Sequence, residues 1–127
     1  RVTLDELTGM PRERFNLPIS GHPKIRMIAD ALTLDPADRS TLGDWAKRVA
    51  MSERSLARLM IRETGLTFGR WRQQLHLIVA LRTLAAGTAV QNVAAELGYE
   101  SVNAFIAMFK KALGSTPAQY FAQRRRG

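Results

Sequence analysis

Residues 52–65 read SERSLARLMIRETG. Leu56, Leu59 and Met60 share one side of a helix, while Arg54, Arg58 and Arg62, four apart, lie on another. Ser52 suits an N-cap, and Gly65 suits the left-handed residue that closes a helix. The stretch therefore predicts a short, capped, amphipathic helix. Three guanidinium groups at that spacing repel one another and slightly weaken an isolated helix. Either water screens them on a solvated face, or they meet a polyanion.

The pattern returns further along. Leu42, Trp45, Ala46 and Val49 match Val90, Val93, Ala94 and Leu97 at an offset of 48. After a turn, Ser52, Leu56, Met60, Gly65 and Thr67 match Ser101, Phe105, Phe109, Gly114 and Thr116 at an offset of 49, so the second turn is one residue longer. Each copy reads as helix, tight turn, helix. Small Ala46 and Ala94 sit where crossing helices must approach, with Val49 and Leu97 packing across the turn. This is the helix-turn-helix arrangement, whose second helix projects from a small core. Two copies in tandem are far more specific than one.

The remaining segments are helical too. Pro23 suits a first helical position, and Ile25, Ile28, Ala29 and Leu32 carry a helix to about Leu34. Thr41 opens a helix with Asp44 completing its cap, and Thr67 opens a long one that Gly87 stops. Thr116, Pro117 and Gln119 form a capping box for a last helix. The predicted fold is all-α: about seven helices, in two helix-turn-helix lobes joined by a long connecting helix. The first motif spans about 42–64 and the second about 90–113, within a domain covering 23–125. A connecting helix of about 19 residues is roughly 28 Å long. Successive major-groove faces lie about 34 Å apart. Such a linker, with the radius of each lobe, can place both second helices in adjacent major-groove segments.

Charge narrows the partner. The 127 residues carry a net +8, unevenly placed. Residues 1–44 hold six Lys/Arg and seven Asp/Glu, whereas residues 45–127 hold thirteen and four. The basic excess travels with the arginine stripe and favours nucleic acid or an acidic surface. Cysteine is absent, which excludes thiolate chemistry and fits a reducing, cytoplasmic setting. No apolar run approaches the roughly 20 residues of a membrane span. His22 and His76 show no metal-ligand or nucleophile spacing, so neither an enzyme nor a cofactor is expected. Trp45, Trp71, Phe105 and Phe109 fall at core spacing and read as packing residues. Residues 1–22 are rich in turn formers and begin with Arg1, and are expected to be a linker or the remnant of a missing N-terminal domain.

SERSLARLMIRETG, the long helix ending LRTLAAG, and ELGYESVNAFIAMFKKALGSTPAQY together resemble the AraC/XylS-type DNA-binding domain of bacterial transcription regulators, over about residues 23–125. The resemblance implies promoter binding that usually activates transcription through RNA polymerase, with dimerisation or effector binding in a separate N-terminal domain. Four residues depart from the family pattern: Ala50 where the second turn has Gly98, Met60 and Ile61 where phenylalanine and lysine are common, and Ala107 where an arginine is common.

Arg54 and Arg58, early in the first recognition helix, are the expected base readers, since a guanidinium fork matches guanine O6 and N7. Ala57 matches a family base-facing position and offers only a methyl. Arg62, further along, meets phosphate or water. In the second lobe Val102, Asn103, Ala104 and Ala107 occupy the matching face. Asn103 bonds adenine or, alternatively, its own helix start. Lys110 and Lys111 suit phosphate. Open backbone N–H groups near Thr41 and Ala89 offer further phosphate sites, and Arg70, Arg72 and Arg124–Arg126 add general attraction or form a solvated tail. The leading expectation is sequence-specific binding of double-stranded DNA. The alternatives are a nonspecific nucleic-acid binder and a protein-interaction module with a basic face.

Overall fold

The computed structural model describes Leu17, Pro18 and residues 20–126, so most of the expected linker lies outside the described residues. Among the described residues there are seven helices and no strand: α1 (Pro23–Leu34), α2 (Leu42–Arg48), α3 (Glu53–Thr64), α4 (Phe68–Ala85), α5 (Val90–Glu96), α6 (Val102–Leu113) and α7 (Pro117–Arg126). They fall into two compact units, Leu17–His76 and the chain from Leu77 onward, with the boundary inside α4.

In the first unit α3 packs against both α1 and α2. Ile25, Ile28 and Leu32 of α1 meet a core that includes Trp45, Ala46, Val49, Leu56, Leu59, Met60, Trp71 and Leu75, all nearly inaccessible. Burying each large apolar side chain contributes about 1.5–3 kcal/mol, which holds helices as short as the seven residues of α2. Capping sharpens the ends. Thr41 Oγ1 accepts from Asp44 N at 3.1 Å while Asp44 Oδ2 accepts from Thr41 N at 2.9 Å, a complete capping box.

The loop before α2 is tied down by side chains. Arg72 Nη1 donates to the Ser40 carbonyl at 2.7 Å, and Arg48 Nη2 to Ser40 Oγ at 3.1 Å. His76 Nε2 lies 2.7 Å from the Pro36 carbonyl. Burial pushes the His76 imidazole below its ordinary range. Arg72, a candidate for general attraction of a polyanion, is therefore engaged in holding this loop, and its guanidinium also covers the Phe68 ring at 4.6 Å. Ahead of α1, Ser20 is buried and donates to Glu63 Oε1 at 2.6 Å, while Trp71 Nε1 reaches the Pro18 carbonyl at 3.5 Å. The end of the turn-rich segment thus packs onto this unit.

The second unit is built around Phe105 and Phe109, with Leu77, Ala80, Leu81, Val93, Ala94, Leu97 and Tyr120. Tilted and edge-on ring pairs run from Tyr99 through Phe105 and Phe109 to Tyr120, with centroids 5.5–6.0 Å apart, the spacing aromatic quadrupoles prefer. Here α6 packs on α5 and α7. Arg124 lies over the Tyr120 ring at 4.6 Å and donates to its hydroxyl at 3.0 Å, so this member of the basic tail also has an internal role.

The two turns share one hydrogen-bond plan. Met51 N donates to Ala46 O at 2.9 Å, and Tyr99 N to Ala94 O at 3.0 Å. Both bonds span the same left-handed residue, Ala50 at φ 59° and Gly98 at φ 81°. This is the hydrogen bond of a Schellman ending. The unusual alanine has not changed the turn; it carries the strain instead.

Candidate nucleic-acid interface

Each second helix begins and ends alike. Ser52 Oγ accepts from Ser55 N, and Ser101 Oγ from Ala104 N. Gly65 at φ 79° and Gly114 at φ 86° close α3 and α6, donating to Ile61 and Lys110 carbonyls. With both ends satisfied, the apolar stripe is free to choose the core and the opposite face is left to solvent.

On α3 that outer face holds Arg54, Arg58 and Arg62, all exposed, with Ala57 half-buried at its margin. No described residue forms a hydrogen bond or ion pair with any of the three arginines. Glu63, next to Arg62 on the same helix, is engaged by Ser20. A helix turns about 100° per residue. Relative to Arg54, Arg58 is therefore about 40° round and Arg62 about 80°, so Arg62 drifts off the line. The residue that stays on it is Ile61, seven positions from Arg54 and 50% exposed. In the sequence Ile61 stands out only as a departure from a family pattern; its seven-residue spacing from Arg54 is the signal that places it on this face.

On α6 the outer line runs through Asn103, Ala107 and Lys110, all exposed, with Lys111 beside it. Ala104 is half-buried at the edge, and Val102 packs partly against the core cluster. The four expected readers of this lobe are thus not on one line: Asn103 and Ala107 lead, and Val102 has turned inward.

At the start of α2, an expected phosphate site, two of the backbone N–H groups are already taken. Thr41 and Asp44 occupy each other's backbone groups there, and the bond from the Thr41 backbone N–H holds the Asp44 carboxyl below its usual range, keeping it ionised. An incoming anion would meet that charge. Ala89, before α5, provides no side-chain cap. Arg70 is exposed at the start of α4. Among the described residues no group of three His, Cys, Asp or Glu is placed to hold a metal ion, and no helix is long and apolar enough to cross a membrane.

Known proteins share this arrangement. A family model described as a helix-turn-helix domain matches residues 45–123. The HTH-type transcriptional regulator NimR of Escherichia coli (strain K12) is 52% identical over 123 residues, which is 97% of this chain and 45% of that protein. The HTH-type transcriptional activator RhaR of Mannheimia succiniciproducens is 26% identical over 110 residues, 86% of this chain and 40% of that protein. The chain thus spans less than half the length of these curated relatives. Among solved structures, the DNA-binding domain of the global transcriptional factor AdpA, in complex with a target DNA, is 30% identical with a TM-score of 0.71, covering 82% of this chain and 94% of that one. A transcriptional regulator with an AraC-type DNA-binding domain from Chromobacterium violaceum shares the fold at a TM-score of 0.69 and 22% identity, over 80% of this chain and 92% of that one.

Proposed function

The chain belongs to the AraC-type helix-turn-helix family of bacterial DNA-binding transcription regulators, and from that membership we propose that it reads specific promoter sequences in double-stranded DNA. The observation that carries the reading is the outer face of α3, where Arg54 and Arg58 stand one turn apart, exposed and with no partner among the described residues, on a helix capped at both ends. In this reading Arg54 and Arg58 bond guanine edges, and Ala57 lies close to the same groove wall. Asn103, with Ala104 and Ala107, reads adenine and thymine from α6, while Val102 contributes through its packing. Arg62, Lys110 and Lys111 neutralise phosphates, which fix position and register without carrying sequence.

We further propose that the intact protein is a cytoplasmic transcription activator that works with RNA polymerase. The relatives named as activators support the direction of control. Dimerisation or effector binding would belong to the part of the longer relatives that this chain does not match.

The test is selection of bound duplexes from a random pool, followed by Arg58→Ala against single-base variants of the selected site. The substitution is expected to cost about 1–3 kcal/mol and to relax preference at one or two neighbouring base pairs. An equal loss on every sequence would make Arg58 a phosphate contact. Equal competition by unrelated DNA would replace sequence-specific recognition by general nucleic-acid binding.

A further inference from the structure

Three large apolar side chains stand exposed among the described residues: Met27 at 43%, Leu34 at 88% and Ile61 at 50%. The first two lie on α1. Ile61 alone interrupts a row of guanidinium groups, and it does so within about 20° of Arg54 around the helix. The matching position of the second lobe is Lys110, also exposed. A lysine there would serve phosphate binding, and it would favour the helix slightly more than a β-branched residue does. An isoleucine gives up both gains. What it offers is a branched aliphatic surface, about 4.5 Å along the axis from Arg58.

In the major groove, base edges present donors, acceptors and one apolar feature, the thymine 5-methyl group. Resting on the DNA-binding reading above, we propose that Ile61 is a specificity-determining residue whose side chain seats against a thymine methyl, within about two base pairs of the base met by Arg58. The neighbouring arginines supply attraction and register, and Ile61 supplies discrimination that charge alone does not. Arg54, Arg58 and Ile61 then share about 60° of the helix face. Arg62, about 80° from Arg54 and about 100° from Ile61, lies at the far edge of that face and keeps to the backbone.

The test uses the duplex that the chain itself selects. Each thymine is replaced singly by deoxyuridine, which keeps base pairing and removes only the methyl group. The unaltered chain should lose about threefold to fivefold in affinity at one position, the size of one buried methyl. Ile61→Ala, a change to a better helix former at an exposed site, should bind the thymine duplex more weakly by about that factor and become indifferent to uracil there. Ile61→Lys should show the same indifference, with a salt dependence steeper by about one unit. A uracil penalty that persists undiminished in Ile61→Ala, or a site in which no thymine methyl matters, overturns the proposal while leaving DNA binding intact. Absence of any duplex binding by the unaltered chain would overturn the DNA-binding reading, and this proposal with it.

Discussion

Ala50 shows how closely a single residue can be read. A side chain at φ 59° brings its Cβ towards a carbonyl oxygen, at a cost of about 1–2 kcal/mol relative to ordinary helical geometry. The Schellman bond from Met51 to Ala46 keeps it there. Glycine would relieve the clash but adds freedom to the unfolded chain, which offsets roughly 0.5–1 kcal/mol. Ala50→Gly is therefore expected to stabilise the protein by up to about 1 kcal/mol, seen as a higher urea midpoint at unchanged slope. Gly98→Ala, making the reverse change at φ 81°, should lower the midpoint by a similar amount. A lower midpoint for Ala50→Gly would mean that the first turn does not require a left-handed residue. The sequence shows the alanine in place of glycine; it does not show whether the turn moves or the residue strains, because that depends on the packing of Ala46 and Val49 behind it.

At the level of elements, the helices were legible because their signals are local. Thr41, Ser52, Thr67, Ser101 and Thr116 each precede a helix, and all accept from the backbone as their positions imply. The face pointing outward was less legible where a regular spacing misled. Four-residue steps group Arg62 with Arg54, whereas the helical repeat favours Ile61. Long-range bonds were invisible: nothing local announces that Arg72 holds Ser40, 32 positions earlier, or that His76 meets Pro36. The core of α4 shows the same limit. Phe68, Trp71 and Leu75, three and four residues apart, are buried, but Ile78, which continues that spacing, is only half-buried and Leu77 and Ala80 take the interior, because the last half of the helix belongs to a different unit. The contrast between α3 and α6 yields a prediction. Two fork-bearing arginines should specify a sharp, guanine-containing block, and Asn103 with Ala107 a looser block leaning towards A·T. Asn103→Ala should then lose less specificity than Arg58→Ala in selected-site binding. A sharper information peak under the second lobe, or one block alone, would defeat this reading.

For the molecule as a whole, the charge excess predicts steep salt dependence, but the internal roles of Arg48, Arg72 and Arg124 reduce the number of cations at hand. Those left exposed include Lys47, Arg54, Arg58, Arg62, Arg70, Lys110 and Lys111. With 6–8 phosphates neutralised, log K should fall against log salt with a slope of about −5 to −7. A slope near zero in a salt titration would exclude a polyanion as partner. Arg72→Ala should leave that slope unchanged, since its guanidinium serves the Ser40 loop. The paired ends of α3 and α6 have a further consequence for inheritance. A serine at the entrance and a left-handed glycine at the exit make each recognition helix a cassette, and the letters that face outward do not set whether it folds. Under the proposed reading of DNA by these faces, drift at Arg54, Arg58, Ile61, Asn103 or Ala107 would readdress one lobe while the other keeps the protein anchored near its old target. New addresses can be tried in small steps, without an intermediate that has lost its place on the chromosome.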